Sequence, residues 1–183
     1  MKTEFETRFL DIDKTDFISK ITALGAIDKG EFKLSEFIFY DKELTWLSGN
    51  QFIRLRQKGE DITLTYKKHI GHGVDSAQET EFKVSSVEKT KEFLENIGFL
   101  NYRTVEKIRH TFELDGVIFD IDTWPKIPTY VELEGESIEA LLKMAERVGL
   151  DWNKRFDQDP RFVFKHYGFD LDNIRTVTFD KFE

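Results

Sequence analysis

The 183 residues are 39% hydrophobic and 34% charged, with 18 Phe, three Pro and 11 Gly. That balance fits one globular domain with a core of its own and excludes a disordered chain. The absence of Cys rules out disulfides, thiolate metal centres and a cysteine nucleophile. The formal charge of −8 argues against a general nucleic-acid binder, though not against a small anion held by local positive charge. No stretch approaches the roughly 20 apolar residues of a membrane span. The opening MKTEFETRF lacks the apolar core of a signal peptide. The expectation is a soluble, cytoplasmic protein with no membrane partner.

Residues 2–10 alternate, with Glu4, Glu6 and Arg8 on one face and Phe5, Thr7 and Phe9 on the other, the period of a β-strand. Asp13 opens a helix that runs to about Leu24, with Phe17, Ile18, Ile21 and Leu24 as its apolar stripe and Gly25 as its end. A second strand covers 32–40, where Lys33 and Glu36 read as solvated. Gln51–Gln57 and Ile62–Lys68 form a hairpin about Gly59-Glu60-Asp61. A polar loop follows at 70–77, then a strand over 78–84 and a helix over about 87–97. Three strands at 104–114, 117–123 and 129–134 include a turn at Asp115-Gly116, a strong hairpin signal. A helix over 137–148 ends at Gly149. In the tail, Asp159-Pro160 starts a short helix, and a last strand lies near Ile174–Phe179. With no repeat or linker, residues 1–183 read as a single α+β domain dominated by antiparallel strands.

What lies on one face of each strand is more informative. Arg54 and Arg56 share a face, as do Thr63, Thr65 and Lys67, then Glu79, Glu81 and Lys83. Lys107 and Arg109 form a further set, Asp120 and Asp122 another, and Glu132 and Glu134 a last. At 34% charged residues, a charged pair at i and i+2 arises by chance with a frequency of about 0.12 under strict period 2, so one pair means nothing and six demand a cause. A solvated face is the plain alternative. Against it stand the opposite positions Phe5, Phe9, Phe82, Ile108, Ile121, Val131 and Leu133, which give each strand a core face. The charges are also sorted by strand, acid with acid and base with base, where mixed cross-strand pairs would be favoured. A closed barrel with charged walls inside and helices outside reconciles these features. Crowded carboxylates then need a cation, and crowded guanidinium and ammonium groups need an anion. A metal triphosphate supplies both.

The ordered set of motifs resembles the CYTH superfamily, the triphosphate tunnel metalloenzymes. Glu4-Phe5-Glu6-Thr7-Arg8 is similar to its ExExK signature, with Arg8 where the family has Lys. Arg54-Leu55-Arg56, Thr65-Tyr66-Lys67, Glu79-Thr80-Glu81 and Lys107-Ile108-Arg109 resemble its RxR, TxK, middle acidic and KxR strands. Asp122 followed by Glu132-Leu133-Glu134-Gly135 resembles its late acidic pair. The resemblance implies a closed, eight-stranded antiparallel barrel with helices outside. It implies that Glu4, Glu6, Asp122, Glu132 and Glu134 hold Mg2+ or Mn2+. It gives Arg8, Arg54, Arg56, Lys67, Lys107 and Arg109 the phosphates, with Glu4, Glu6, Arg8, Lys67, Lys107 and Arg109 as the catalytic group. Glu79, Glu81 and Asp120 are additional ligands or tethers, and Trp124 either stacks on an organic ring or packs at the rim.

The implied activity is phosphoryl transfer on a small-molecule triphosphate: class IV adenylate cyclase-like conversion of ATP to cAMP and pyrophosphate. The alternative is hydrolysis of thiamine triphosphate or inorganic tripolyphosphate, and a non-catalytic polyphosphate or nucleotide binder is a third reading. A homodimer is left open. His69, His72, His110 and His166 show no ligand spacing, and His69 and His72 read as surface residues. Ser48-Gly49-Asn50 and Gly71-His72-Gly73 read as turns, and Asp157, Asp159 and Arg161 as a helix start or a cover over one barrel mouth.

Overall fold

The computed structural model describes residues 2–69, 73, 74 and 77–183, and the side chains of all of these except 2–4. The alternating N-terminus forms β1 (Lys2–Phe9), and Asp13 caps α1 (Lys14–Ala23) by accepting from the Asp16 backbone N–H at 2.9 Å. Next come β2 (Ile27–Asp41), a single turn α2 (Thr45–Ser48), and the hairpin β3 (Gln51–Lys58) and β4 (Asp61–His69). Beyond lie β5 (Ala77–Lys83), α3 (Val87–Asn96), β6 (Phe99–Leu114), β7 (Val117–Thr123) and β8 (Tyr130–Gly135). The chain ends with α4 (Ile138–Arg147), α5 (Pro160–His166) and the two-residue β9 (Thr176–Val177). Ser86, Ser137 and Asp159 cap α3, α4 and α5 with their side chains, each satisfying a backbone donor at a helix start. Asp115 and Gly116 both take positive φ (47° and 81°), the geometry that turns β6 tightly into β7.

The architecture is α+β. Its antiparallel strands run in the order β2-β3-β4-β5-β1-β8-β7-β6, strongly curled, with β9 added parallel to β6. β2 and β6, the ends of that order, also pair with each other, from Ile27 with Glu113 to Asp41 with Phe99. Both strands are longer than their apolar patterns predict, 27–41 against 32–40 and 99–114 against 104–114. The first residues of β2 are mostly exposed and lack a core face. Pairing along β6 holds them in place, through an irregularity between Asp28 and Gly30 where Gly30 adopts φ 98°, a bulge conformation suited to glycine.

Two apolar clusters lie on the outer, convex side. Phe17, Ile21, Phe119, Leu133, Leu141 and Met144 join the sheet to α1 and α4. Phe39, Leu55, Val87 and Leu94 pack beneath α3. A third cluster, with Tyr40, Tyr102, Trp124, Tyr130, Val163 and Phe164, fills one end of the curl under α5. Phe82, expected on a core face, is 55% exposed, because no helix covers the outer side of β5 there. Among the described residues no helix is long and apolar enough to cross a membrane.

Candidate functional site

Strand period and curl together turn the charged faces inward. They line a cavity of about 370 Å³. In sheet order the inward side chains fall into two arcs. Bases come from β3, β4 and β6 (Arg54, Arg56, Lys67, Lys107, Arg109); acids come from β5, β1, β8 and β7 (Glu79, Glu81, Glu6, Glu132, Glu134, Asp120), with Arg8 set among the acids on β1 and Glu36 among the bases on β2. Register makes neighbours of Glu6 and Glu134, of Arg8 and Glu132, of Asp120 and Glu132, and of Lys67 and Glu79. The cavity thus brings together predicted residues from seven strands, Asp122 excepted. Glu4 lies in β1, but its side chain is outside the described residues, as is His72.

The arcs are tied by ion pairs. Arg8, only 3% exposed, sits against Glu132 at 2.5 Å and Glu6 at 3.1 Å, and donates to the Gln158 carbonyl at 2.9 Å. Lys67 reaches Glu6 at 3.4 Å. Arg109 grips Asp122 with two nitrogens, at 2.7 and 2.6 Å, and also meets Asp120 and Glu132. Asp122 does not line the cavity. It has no exposed surface, and it anchors Lys107 at 2.8 Å as well as Arg109. Glu81 accepts from the Thr65 hydroxyl at 2.6 Å and lies 3.8 Å from Arg54.

Burial raises the Glu6 carboxyl, but Arg8 and Lys67 outweigh it and hold the group below its ordinary value. Glu132 is likewise raised by burial and lowered more by Arg8, Arg109 and Lys107, ending well below the usual carboxylate range. Both are therefore ionised at neutral pH. Burial lowers the Arg8 guanidinium, yet Glu132 and Glu6 raise it further, so Arg8 stays charged. Lys107 goes the other way, lowered by burial and by Arg109.

Glu36 is a correction to the sequence reading. It is 5% exposed and accepts from Arg56 Nε at 2.8 Å. It shares the inward face of β2 with Ile38 and Tyr40, and that alternation is the signal that could have found it. Lys33, on the opposite face, is solvated as expected and pairs with Glu106. His69 lines the cavity beside Phe52, with burial lowering its pKa, so it is not a plain surface residue. Arg103 was also missed. It is 4% exposed and donates from Nε to the Ile174 carbonyl at 2.9 Å, and to the Leu171 carbonyl, tying the tail to β6. Of the three tail residues, Asp159 caps α5 and lines the cavity with Arg161, whereas Asp157 is not among the lining residues and accepts from the Thr7 hydroxyl.

Among the described residues, the buried side-chain atoms without a hydrogen-bond partner include Arg8 Nε, Arg54 Nε, Trp124 Nε1 and Tyr130 OH. Each can donate, and Arg8, Arg54 and Trp124 line the cavity. Unmatched buried donors call for an acceptor-rich ligand. Among the described residues no group of three or more His, Asp or Glu is arranged to hold a metal ion. The donor chemistry nevertheless fits a hard divalent cation, because Glu6, Glu132 and Glu134 offer only oxygen from adjacent strands.

Residues 2–158 match the family model of the CYTH domain. No curated protein matches the chain. Among solved structures, the chain is similar to the PH1012 protein of Pyrococcus horikoshii OT3, with TM-score 0.74 and 22% identity over 85% of this chain and 96% of that one. It is similar to a candidate adenylate cyclase of Vibrio parahaemolyticus, with TM-score 0.77 and 15% identity over 90% and 98%. It is also similar to a candidate adenylyl cyclase of Hippeastrum with a dominant triphosphatase activity, with TM-score 0.64 and 14% identity over 92% and 96%. At these identities the likeness is one of fold.

Proposed function

The chain belongs to the CYTH domain family, and on that premise we propose that it is a metal-dependent phosphoryl-transfer enzyme acting on a small-molecule triphosphate. We read the circuit of strand pairings as a closed eight-stranded barrel and the cavity as its lumen. The observation that carries the reading is the pairing of a basic arc, with unmatched buried donors, against an acidic arc within one cavity.

In this reading Arg54, Arg56, Lys107 and Arg109 hold the phosphate oxygens, with Lys67 at the border of the two arcs and Arg8 within the acidic one. Asp122 fixes Lys107 and Arg109 in position, as Glu36 fixes Arg56. Glu6, Glu132 and Glu134, with Glu4 on the same strand as Glu6, would hold Mg2+ or Mn2+. When bound, that ion neutralises charge that develops on phosphate oxygens. Arg8 takes no proton from a nucleophile, since its acidic neighbours keep it charged; it orients Glu6 and Glu132. The specific activity we favour is class IV adenylate cyclase-like, in which the ribose 3′-oxygen of ATP displaces pyrophosphate. Hydrolysis of thiamine triphosphate or tripolyphosphate uses the same cradle with water as nucleophile.

The deciding experiment offers ATP, thiamine triphosphate and tripolyphosphate with Mg2+ and with Mn2+, and measures cAMP and phosphate. Formation of cAMP supports the cyclase, and phosphate release without cAMP supports the hydrolase. Binding with no turnover of any of the three overturns the enzyme reading. Lys107→Ala is expected to lower turnover by about 10²–10³-fold, the scale of losing one charge-stabilising donor.

A further inference from the structure

Trp124 follows β7 directly, two residues beyond Asp122 and four beyond the cavity-lining Asp120. It is 6% exposed and lines the cavity, as do Asp159 and Pro160. Its ring meets Phe164 edge-on, with centroids 5.4 Å apart and planes at 80°, while the Lys107 ammonium lies over the ring at 4.9 Å from its centroid. A face already covered by an ammonium is poorly placed to stack on an organic ring. The polar end of the side chain is what remains unmatched: Nε1 is buried with no partner. An indole N–H only donates, so it requires an acceptor. On the adjacent strand the Tyr130 hydroxyl is a second buried donor in the same condition, and Tyr130 is the register partner of Asp122, which holds Lys107.

Resting on the function proposed above, we propose that the Trp124 indole N–H binds an oxygen of the substrate's phosphate chain, next to the oxygens held by Lys107. The choice of an anionic acceptor follows from the surroundings. The ammonium over the ring draws negative charge to this point. The nearby acids are already matched, Asp122 by Lys107 and Arg109 and Asp159 by Arg161. Trp124 thus acts as a phosphate-positioning donor rather than as a platform for a base.

The test is carried out on the whole chain labelled with 15N at the indole positions. The three Trp residues give three N–H resonances, assigned by Trp46→Phe and Trp152→Phe. Tripolyphosphate, added first with a chelator and then with Mg2+, is expected to move the Trp124 proton downfield, and ATP is expected to move it alike. Calorimetry of Trp124→Phe is expected to show tripolyphosphate binding weakened by about ten- to a hundred-fold, the scale of a hydrogen bond to a charged group. Tripolyphosphate binding that leaves the Trp124 resonance in place overturns the assignment, as does a shift with ATP alone. Binding of neither tripolyphosphate nor ATP to the unaltered protein overturns the function and the assignment together.

Discussion

Glu36 shows how one carboxylate can stabilise a wall built of cations. It stands on β2 between β3 and β6, whose inward residues are Arg54, Arg56, Lys107 and Arg109. Burial raises its carboxyl, while Arg56, Lys107 and Arg54 lower it more, so the folded value lies below the ordinary one. A carboxyl depressed on folding contributes stability that is complete above its unfolded value, about 4.3, and is lost as pH falls through the folded value. The melting temperature is therefore expected to drop below about pH 4.3, and to drop less in Glu36→Gln. Melts followed by circular dichroism between pH 3 and pH 7 measure both slopes. At neutral pH, Glu36→Ala leaves Arg56 without its counter-ion. Breaking a buried pair costs about 3–5 kcal/mol. The lower figure applies here, because the Arg56 side chain keeps 20% of its surface exposed. Denaturant unfolding of the variant gives that number directly.

Among the elements, the tail from Trp152 onward is held by contacts that no local pattern announces. Arg8 and Phe156 form a β-bridge, the Thr7 hydroxyl donates to Asp157 at 2.6 Å, and Arg103 takes the carbonyls of Leu171 and Ile174. Arg103→Ala is expected to speed hydrogen exchange in residues 171–177 while amides of β3 and β4 keep their protection, because local openings follow local contacts. Mass-resolved exchange separates the two regions. The same contrast explains what could be read from the sequence. β1, β3, β4, β6, β7 and β8 keep their period of two where the charges lie, so the inward sets Arg54/Arg56, Lys107/Arg109 and Glu132/Glu134 are legible. Glu36, Arg103 and His69 owe their burial to which strands flank β2 and to where α5 folds back, and those are facts of topology. Phe82 erred in the opposite direction, since its alternation is clear but no helix lies over it. Trp124 was visible as an aromatic residue of uncertain role, and only the packing of Phe164 and Lys107 around it left the indole N–H as its chemistry.

As a whole the molecule carries a formal charge of −8 and yet sets Arg54, Arg56, Lys67, Lys107 and Arg109 around one cavity. Long-range repulsion of a polyphosphate by the acidic exterior is screened within roughly 10 Å at 0.1 M salt and 3 Å at 1 M, while contacts inside the cavity are screened far less. The association rate of tripolyphosphate is therefore expected to rise between 0.01 and about 0.1 M salt, and stopped-flow titration of intrinsic fluorescence measures it. A rate that falls over that range would mean that the field at the entrance is positive despite the net charge. The pairing of β2 with β6 has a consequence of another kind. Two strands far apart in the chain meet along their whole lengths, and the meeting awaits the synthesis of residues near 113, well after β2 to β5 can form as a meander. High contact order of this type delays the rate-limiting nucleus, so refolding is expected on the millisecond-to-second scale. On the ribosome the early meander would wait with the outer edge of β2 unpaired, an open template for wrong strand addition until its native neighbour emerges.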